Sequence, residues 1–322
     1  MILVTGGAGF LGYHLCLALL ARDPSTSVFV VDDLSSPRSR ERAELLMARA
    51  PVRVRVVVAD LLEWLGRLQA PDLRFAEVWH LASPASPRLY KVRPLDTLRL
   101  GGVAVDRLIS MADEHHARLI FASTSEVYGN PEIHPQPESY AGRVHCDGPR
   151  SCYDEAKRYG EALCAVARGI GQSARVVRIF NTYGPELDDG RLVPALLRSA
   201  ATGEDFELHG DGLQRRTLAY VSDTIAGMLA VGKAEPGALQ GPINVGSDLD
   251  PELSVLAIAK LVQALPGAKR FRIVSAPMQD AHDPQRRRPD LTRLRGLGWT
   301  PRVSLAEGLA TTLEWTREIA RR

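Results

Sequence analysis

Six short apolar runs punctuate the first part of the chain: "MILV" (1–4), "SVFVVDD" (27–33), "VRVRVVVADLL" (52–62), "EVWHLAS" (77–83), "RLIFASTS" (118–125) and "ARVVRIFN" (174–181). Several are continuous rather than alternating, the pattern of strands buried on both faces. Between them, "YHLCLALLAR" and the segments 38–49, about 94–116 and 153–169 carry apolar residues at helical spacing. Strands that alternate with helices imply right-handed crossovers and an α/β fold with a doubly wound parallel sheet. From about Tyr183 the alternation becomes irregular. "GPELDDGRLVPALLRSAATGE" reads as a loop and a helix, and "GLQRRTLAYVSDTIAGMLAVGKA" as a strand and helix that return to the first sheet. The remainder mixes short helices and strands and ends in an amphipathic helix at "LAEGLATTLEWTREIAR". The expected division is a sheet domain at 1–182, rejoined by about 215–247. The remaining segments of 183–322 form a smaller mixed α/β lobe.

The first run breaks at "TGGAGFLG", which spaces Gly6, Gly9 and Gly12 at intervals of three, between a strand and a helix. Such a turn lets backbone approach a pyrophosphate and lets the helix start close to the strand. The phosphates then meet the free N–H groups around Phe10 and Leu11. Asp32 ends the second strand, where a ribose hydroxyl is held in a dinucleotide-binding Rossmann domain. Its charge would repel a 2′-phosphate, so NAD is the expected cofactor rather than NADP, although Arg38 and Arg40 follow closely. Asp60, at the end of the third strand, reads equally as an adenine contact or a turn residue. Leu61, Leu81 and Ser83 lie beside the strand ends that such a cofactor crosses.

Composition changes this picture little. Forty basic and 38 acidic residues give a net charge of +2, so nothing points to nucleic acid. No apolar run approaches the roughly 18 residues that span a bilayer, and no secretory signal is visible. Cys16, Cys146, Cys152 and Cys164 lack metal-ligand spacing and read as reduced thiols of a cytoplasmic protein.

The chemistry concentrates in "SCYDEAKRYG" (151–160). Tyr153 and Lys157 sit one helical turn apart, which also suits two surface side chains. Next to a dinucleotide the pair acquires a function, because a nearby ammonium favours the phenolate that takes a proton from a carbinol. Thr124, Ser125 and Glu126, at the end of the fifth run, should emerge at the same sheet edge.

With "HLASPASP" (80–87), "ASTSEVYG" (122–129), "GPRSCYDEAKR" (148–158), "RIFNTYGP" (178–185), "YVSD" (220–223) and "DPQRRRPD" (283–290), the chain resembles the extended short-chain dehydrogenase/reductases that act on nucleotide sugars. Nearly the whole chain is covered. Within that family the resemblance is nearest to enzymes that decarboxylate UDP-glucuronate. It implies oxidation of sugar C4, loss of carbon dioxide from the resulting β-keto acid, protonation at C5 and re-reduction of C4. Tyr153 and Lys157 would serve both redox steps, Thr124, Ser125 and Glu126 the sugar. The resemblance further implies substrate contacts from Tyr90, Asn181, Arg191, Arg216 and Arg287, where a planar guanidinium suits phosphate oxygens. It implies a homodimer built on 94–116 and 153–169, with Leu98, Val105, Leu108, Leu163 and Val166 as candidate contacts. A 4,6-dehydratase usually carries an Asp–Glu pair where this chain has Ser125 and Glu126. A 4-epimerase remains the nearer alternative, and an NAD-binding sensor without turnover is the alternative of another class. Gly101 and Gly102 inside an expected helix, and Ala141 where relatives carry Trp, depart from the family pattern.

Overall fold

In the computed structural model, which describes residues 1–67, 73–187, 190–235, 237, 239–277 and 284–321, the apolar runs become strands. The elements of the first part are β1 Ile2–Thr5, α1 Phe10–Arg22, β2 Val28–Asp32, α2 Ser39–Arg49, β3 Val54–Val58, α3 Leu61–Arg67, β4 Glu77–His80, α4 Pro87–Val92, α5 Pro94–Gly101, α6 Val103–Glu114, β5 Arg118–Thr124, α7 Ser151–Gly169 and β6 Ala174–Ile179. Then follow β7 Thr182–Tyr183, α8 Leu192–Thr202, β8 Phe206–His209, β9 Arg215–Arg216, β10 Ala219–Tyr220, α9 Val221–Lys233, β11 Ile243–Val245, β12 Leu253–Ser254, α10 Val255–Gln263, β13 Ile273–Ala276, β14 Arg286–Arg287, α11 Thr292–Gly296 and α12 Leu305–Ile319.

A seven-stranded sheet runs in the order β11-β6-β5-β4-β1-β2-β3. Strand order reverses between β1 and β4, where ligands bind in doubly wound sheets. Leu3, Phe29, Val78, Leu108, Phe121 and Val176 lie in one buried apolar core beneath the helices. Each such side chain contributes about 1.5–3 kcal/mol by leaving water.

Three expectations are corrected. The third strand stops at Val58, and Leu61 and Leu62 open α3 instead. Their apolar side chains suit the inward face of a helix as well as a strand. The strand expected in 212–220 does not join the large sheet: β9 pairs with β12 and β14 and β10 with β7, while the seventh strand is β11, which lies within the expected 215–247. The helix expected over 94–116 is two helices, broken at Gly102 with φ −114° and ψ −80°. The glycine pair there is steric. A Cβ on Gly101 would lie 2.6 Å from the Ala156 carbonyl oxygen, and one on Gly102 2.7 Å from the Tyr159 ring. Thus α5 meets α7, the helix of Tyr153 and Lys157, almost backbone to backbone.

The chain forms two units. One comprises Met1–Val127, Val144–Arg178 and Met228–Ile243, the other Tyr128–Arg143, Ile179–Gly227 and Asn244–Arg322. In the second, α8 packs on α10 and α12. Asp223 of "YVSD" is structural: its carboxylate accepts the Arg302 and Val303 amides, both at 2.9 Å. Asn244 is likewise held, by Tyr128 Oη and the Gln136 and Asp290 carbonyls. Asp283 of "DPQRRRPD" lies outside the described residues.

Candidate active site

The glycine turn follows β1. Gly6 has φ +70°, and a Cβ there would sit 2.6 Å from the Ala82 nitrogen, so the segment after β4 lies on the turn. Leu81 N–H donates to the Thr5 carbonyl at 3.0 Å, and Leu81 and Ser83 are half-buried beside it. A Cβ on Gly12 would stand 2.1 Å from the Gly6 carbonyl oxygen, so α1 starts this close only without a side chain. Gly9 caps α1 with no side-chain acceptor, and no acidic residue occupies the first turn. The helix start around Phe10 and Leu11 therefore suits an anion, as a pyrophosphate requires.

Asp32 is buried at the end of β2. One carboxylate oxygen accepts the Ala8 amide at 3.0 Å and the other the Leu34 amide at 2.9 Å. Burial pushes its carboxyl above the usual range, while those amides and Arg42 oppose the rise. One Asp60 oxygen accepts the Leu62 and Glu63 amides at the start of α3. Leu61 directs its side chain into the core.

Tyr153 lies near the start of α7, buried, with its ring stacked on Tyr90 at 5.1 Å and 9°. The Tyr90 hydroxyl is buried and, among the described residues, has no hydrogen-bond partner. Lys157, fully within the protein, donates from Nζ to the Ala122 carbonyl at 2.8 Å and lies 5.0 Å from the Phe121 ring centre. Burial brings its ammonium down to about 7, and Glu161 pulls the other way. The same strand end is stitched to α7 again one residue on: Ser123 Oγ donates to Glu161, which also takes a forked pair of bonds from Arg178. Below Lys157, His80 Nε2 meets the Leu100 carbonyl at 2.9 Å and Nδ1 the Thr5 hydroxyl at 2.7 Å. A carbonyl only accepts, so Nε2 carries a proton. Burial, and then Lys157, hold His80 down at about 3.

Thr124 and Ser125 are buried at the end of β5, and Thr124 Oγ1 accepts the Glu126 amide at 3.3 Å. Glu126 pairs with Arg150 at 2.5 Å, both side chains about nine-tenths buried. The sequence reading missed Arg150. Its signal was a cation three residues before Tyr153, and its carboxylate partner is tertiary. Thr124, Glu126, Arg150, Tyr153, Lys157 and Tyr90 all belong to the first unit.

The second unit carries the arginine candidates. Parallel pairing of β9 with β14 sets Arg215 opposite Arg286 and Arg216 opposite Arg287. Strand alternation then separates two pairs. Arg286 grips the buried carboxylate of Glu252 at 2.7 and 3.0 Å, with Arg215 at 3.5 Å. Arg216 and Arg287, both buried and in register, form the other pair, with Arg216 Nη1 donating to the Arg215 carbonyl at 2.9 Å. Asn181 lies past the end of β6, its carbonyl accepting the Ala219 amide at 2.8 Å. Arg191 is exposed at the N-cap of α8. Among the described residues no cluster could hold a metal ion, and no helix is long and apolar enough to cross a membrane.

Comparison with known proteins agrees with this fold. The model of the NAD dependent epimerase/dehydratase family matches residues 2–246. UDP-glucuronic acid decarboxylase 1 of Xenopus tropicalis is 38% identical over 321 residues, which cover 98% of this chain and 72% of that protein. UDP-glucose 4-epimerase of Thermotoga maritima, solved with UDP-glucose, superposes with a TM-score of 0.85 at 27% identity over 99% of both chains. MoeE5, solved with UDP-glucuronic acid and NAD, superposes with a TM-score of 0.80 at 27% identity, again over 99% of both.

Proposed function

We propose, from the premise that the chain belongs to the NAD dependent epimerase/dehydratase family, that it decarboxylates UDP-glucuronate to UDP-xylose with NAD as a retained cofactor. The observation that carries this reading is the 38% identity along 98% of the chain to a decarboxylase of this sugar nucleotide. Gly6, Gly9, Phe10, Leu11 and Gly12 would hold the pyrophosphate, and Asp32 the ribose. Bound NAD⁺ supplies a hydride acceptor for sugar C4 and the hydride that later restores it. Tyr153 Oη takes the C4 hydroxyl proton and gives it back, and the Lys157 ammonium favours the phenolate in between. With C4 a ketone the C5 carboxylate is lost as carbon dioxide, and a proton is needed at C5. Glu126, oriented by Arg150, is the group assigned to steer that proton, with Thr124 and Ser125 fixing the sugar. Tyr90 flanks Tyr153, while Arg216 and Arg287, with Asn181 and Arg191, are assigned to the nucleotide diphosphate.

The test is turnover of UDP-glucuronate with NAD⁺ in D₂O. Carbon dioxide and UDP-xylose with a single deuteron at C5 are expected. UDP-galacturonate without carbon dioxide would make the protein a 4-epimerase, a reaction the fold also serves in the Thermotoga maritima enzyme. Bound NAD without turnover of any nucleotide sugar would make it a sensor.

The proposal includes a homodimer in a reducing cytoplasm, where the four cysteines, all free, stay reduced. Val105 and Leu108 belong to the core, and Leu163 packs against it, so those candidates face inward. Leu98 and Val166 are exposed, as are Leu95, Val103, Tyr159 and Ile170 on the same helices and the turn that ends α7. An apolar face of this kind is stabilised by a partner. Sedimentation at micromolar concentration is expected to give twice the 35.2 kDa chain mass; a monomer would remove the dimer.

A further inference from the structure

We infer that Arg42 is a positioning residue for the dinucleotide: it locks the glycine turn through the Ala8 carbonyl and sets its charge against Asp32. Arg42 lies on the first turn of α2 and is almost wholly buried. Its Nε donates to the Ala8 carbonyl and its Nη2 to the Pro37 carbonyl, both at 2.7 Å.

Ala8 is the centre of the turn. The peptide plane between Ala8 and Gly9 is tied at both ends, since the Ala8 carbonyl accepts from Arg42 and the Gly9 amide donates to Gly6 at 3.1 Å. The preceding plane is tied through the Ala8 amide, which donates to Asp32. Because a peptide unit is planar, anchoring its carbonyl fixes its N–H direction as well. The helix start that follows, the candidate pyrophosphate site, is thereby held in place before any ligand arrives. Rigidity of that kind lowers the entropy cost of binding.

The charge of Arg42 has a second effect. Burial disfavours the ionised form of Asp32, and neighbouring Asp33 adds to that pressure. Asp33 is itself paired with Arg93 at 2.9 Å. From α1 the group facing Asp32 is the Cys16 thiol, whose own ionisation burial suppresses. From α2 it is Arg42, which opposes the rise. An ionised Asp32 is the form that accepts ribose hydroxyls and repels a 2′-phosphate.

This inference rests on NAD being the cofactor, so the experiment separates the two. NAD⁺ binding is measured by calorimetry from about pH 5 to about pH 8 for the native chain, Arg42→Leu and Arg42→Lys. The native chain is expected to bind. Arg42→Leu should bind about tenfold more weakly at the upper end, the scale of lost charge-assisted hydrogen bonds. Its affinity should also begin to fall, as pH drops, at a higher pH than in the native chain, because Asp32 then takes up its proton sooner. Arg42→Lys keeps the charge but loses the fork, so it should bind more weakly with the native pH profile. Native affinity in Arg42→Leu, or weakening without displacement of the profile, would overturn the inference while leaving NAD in place. Should Arg42→Leu not fold, native affinity in Arg42→Lys would overturn it. A native chain that binds no NAD⁺ would overturn both.

Discussion

Tyr153→Phe is expected to lose at least about a hundredfold in turnover of UDP-glucuronate while binding NAD⁺ as the native chain does. The substitution is sterically mild. The ring keeps its stacking on Tyr90 at 5.1 Å and its place among buried neighbours at the start of α7. Only the hydroxyl goes, so the lost rate reports proton transfer at that oxygen. The pH profile adds a check with a definite sign. Burial lowers Lys157 to about 7, so its ammonium is present below that value and lost as pH rises through it. The ammonium is what favours the phenolate, so native turnover should decline above about pH 7. The residual rate of the Phe variant, which has no phenol to assist, should lack that decline. Near-native turnover in a folded Phe variant would remove Tyr153 from the mechanism.

How much of this was legible beforehand follows from physics that is either local or tertiary. A parallel strand buried on both faces must be apolar throughout, so "SVFVVDD" and "RLIFASTS" announce β2 and β5. The glycine turn was legible because each constraint on it is local: Gly12 must clear the Gly6 carbonyl, and Asp32 must close the following strand. Leu61 and Leu62 were ambiguous because inward positions of a short helix and of a strand are equally apolar. The pair β9 and β14 was illegible, being two residues each and brought together from 71 positions apart. Leu98 and Leu108 look alike in the sequence, and only the placement of α5 and α6 exposes one and buries the other. Gly101 seemed a flaw in a helix until the approach of α7 gave it a purpose. Arg150, Arg42 and Glu252 share one reason for having been missed. A buried charge is defined by its partner, and each partner lies on a different element.

Arg150→Met should cost more than any surface arginine. Its partnership with Glu126 is about nine-tenths buried on both sides, so removing the guanidinium leaves the carboxylate facing a low-dielectric surround. Breaking a buried pair from one side typically costs about 3–5 kcal/mol. Thermal denaturation of the Met variant should therefore show a clear loss of stability, reduced to the extent that Glu126 escapes by taking up a proton. On the proposed mechanism that proton also harms function, because the ionised Glu126 is the form assigned to orient the donor that protonates C5. Turnover of UDP-glucuronate should fall by about a hundredfold, in line with loss of a positioned acid–base group. Glu126→Gln combined with Arg150→Met separates the two effects. With both charges gone, the double variant should recover much of the stability lost in Arg150→Met, yet none of the turnover. A double variant no more stable than Arg150→Met would show that the two side chains do not act as a buried pair. A stable Arg150→Met with near-native turnover would take both residues out of the proposed mechanism and leave control of the C5 proton to Thr124, Ser125 and Tyr153.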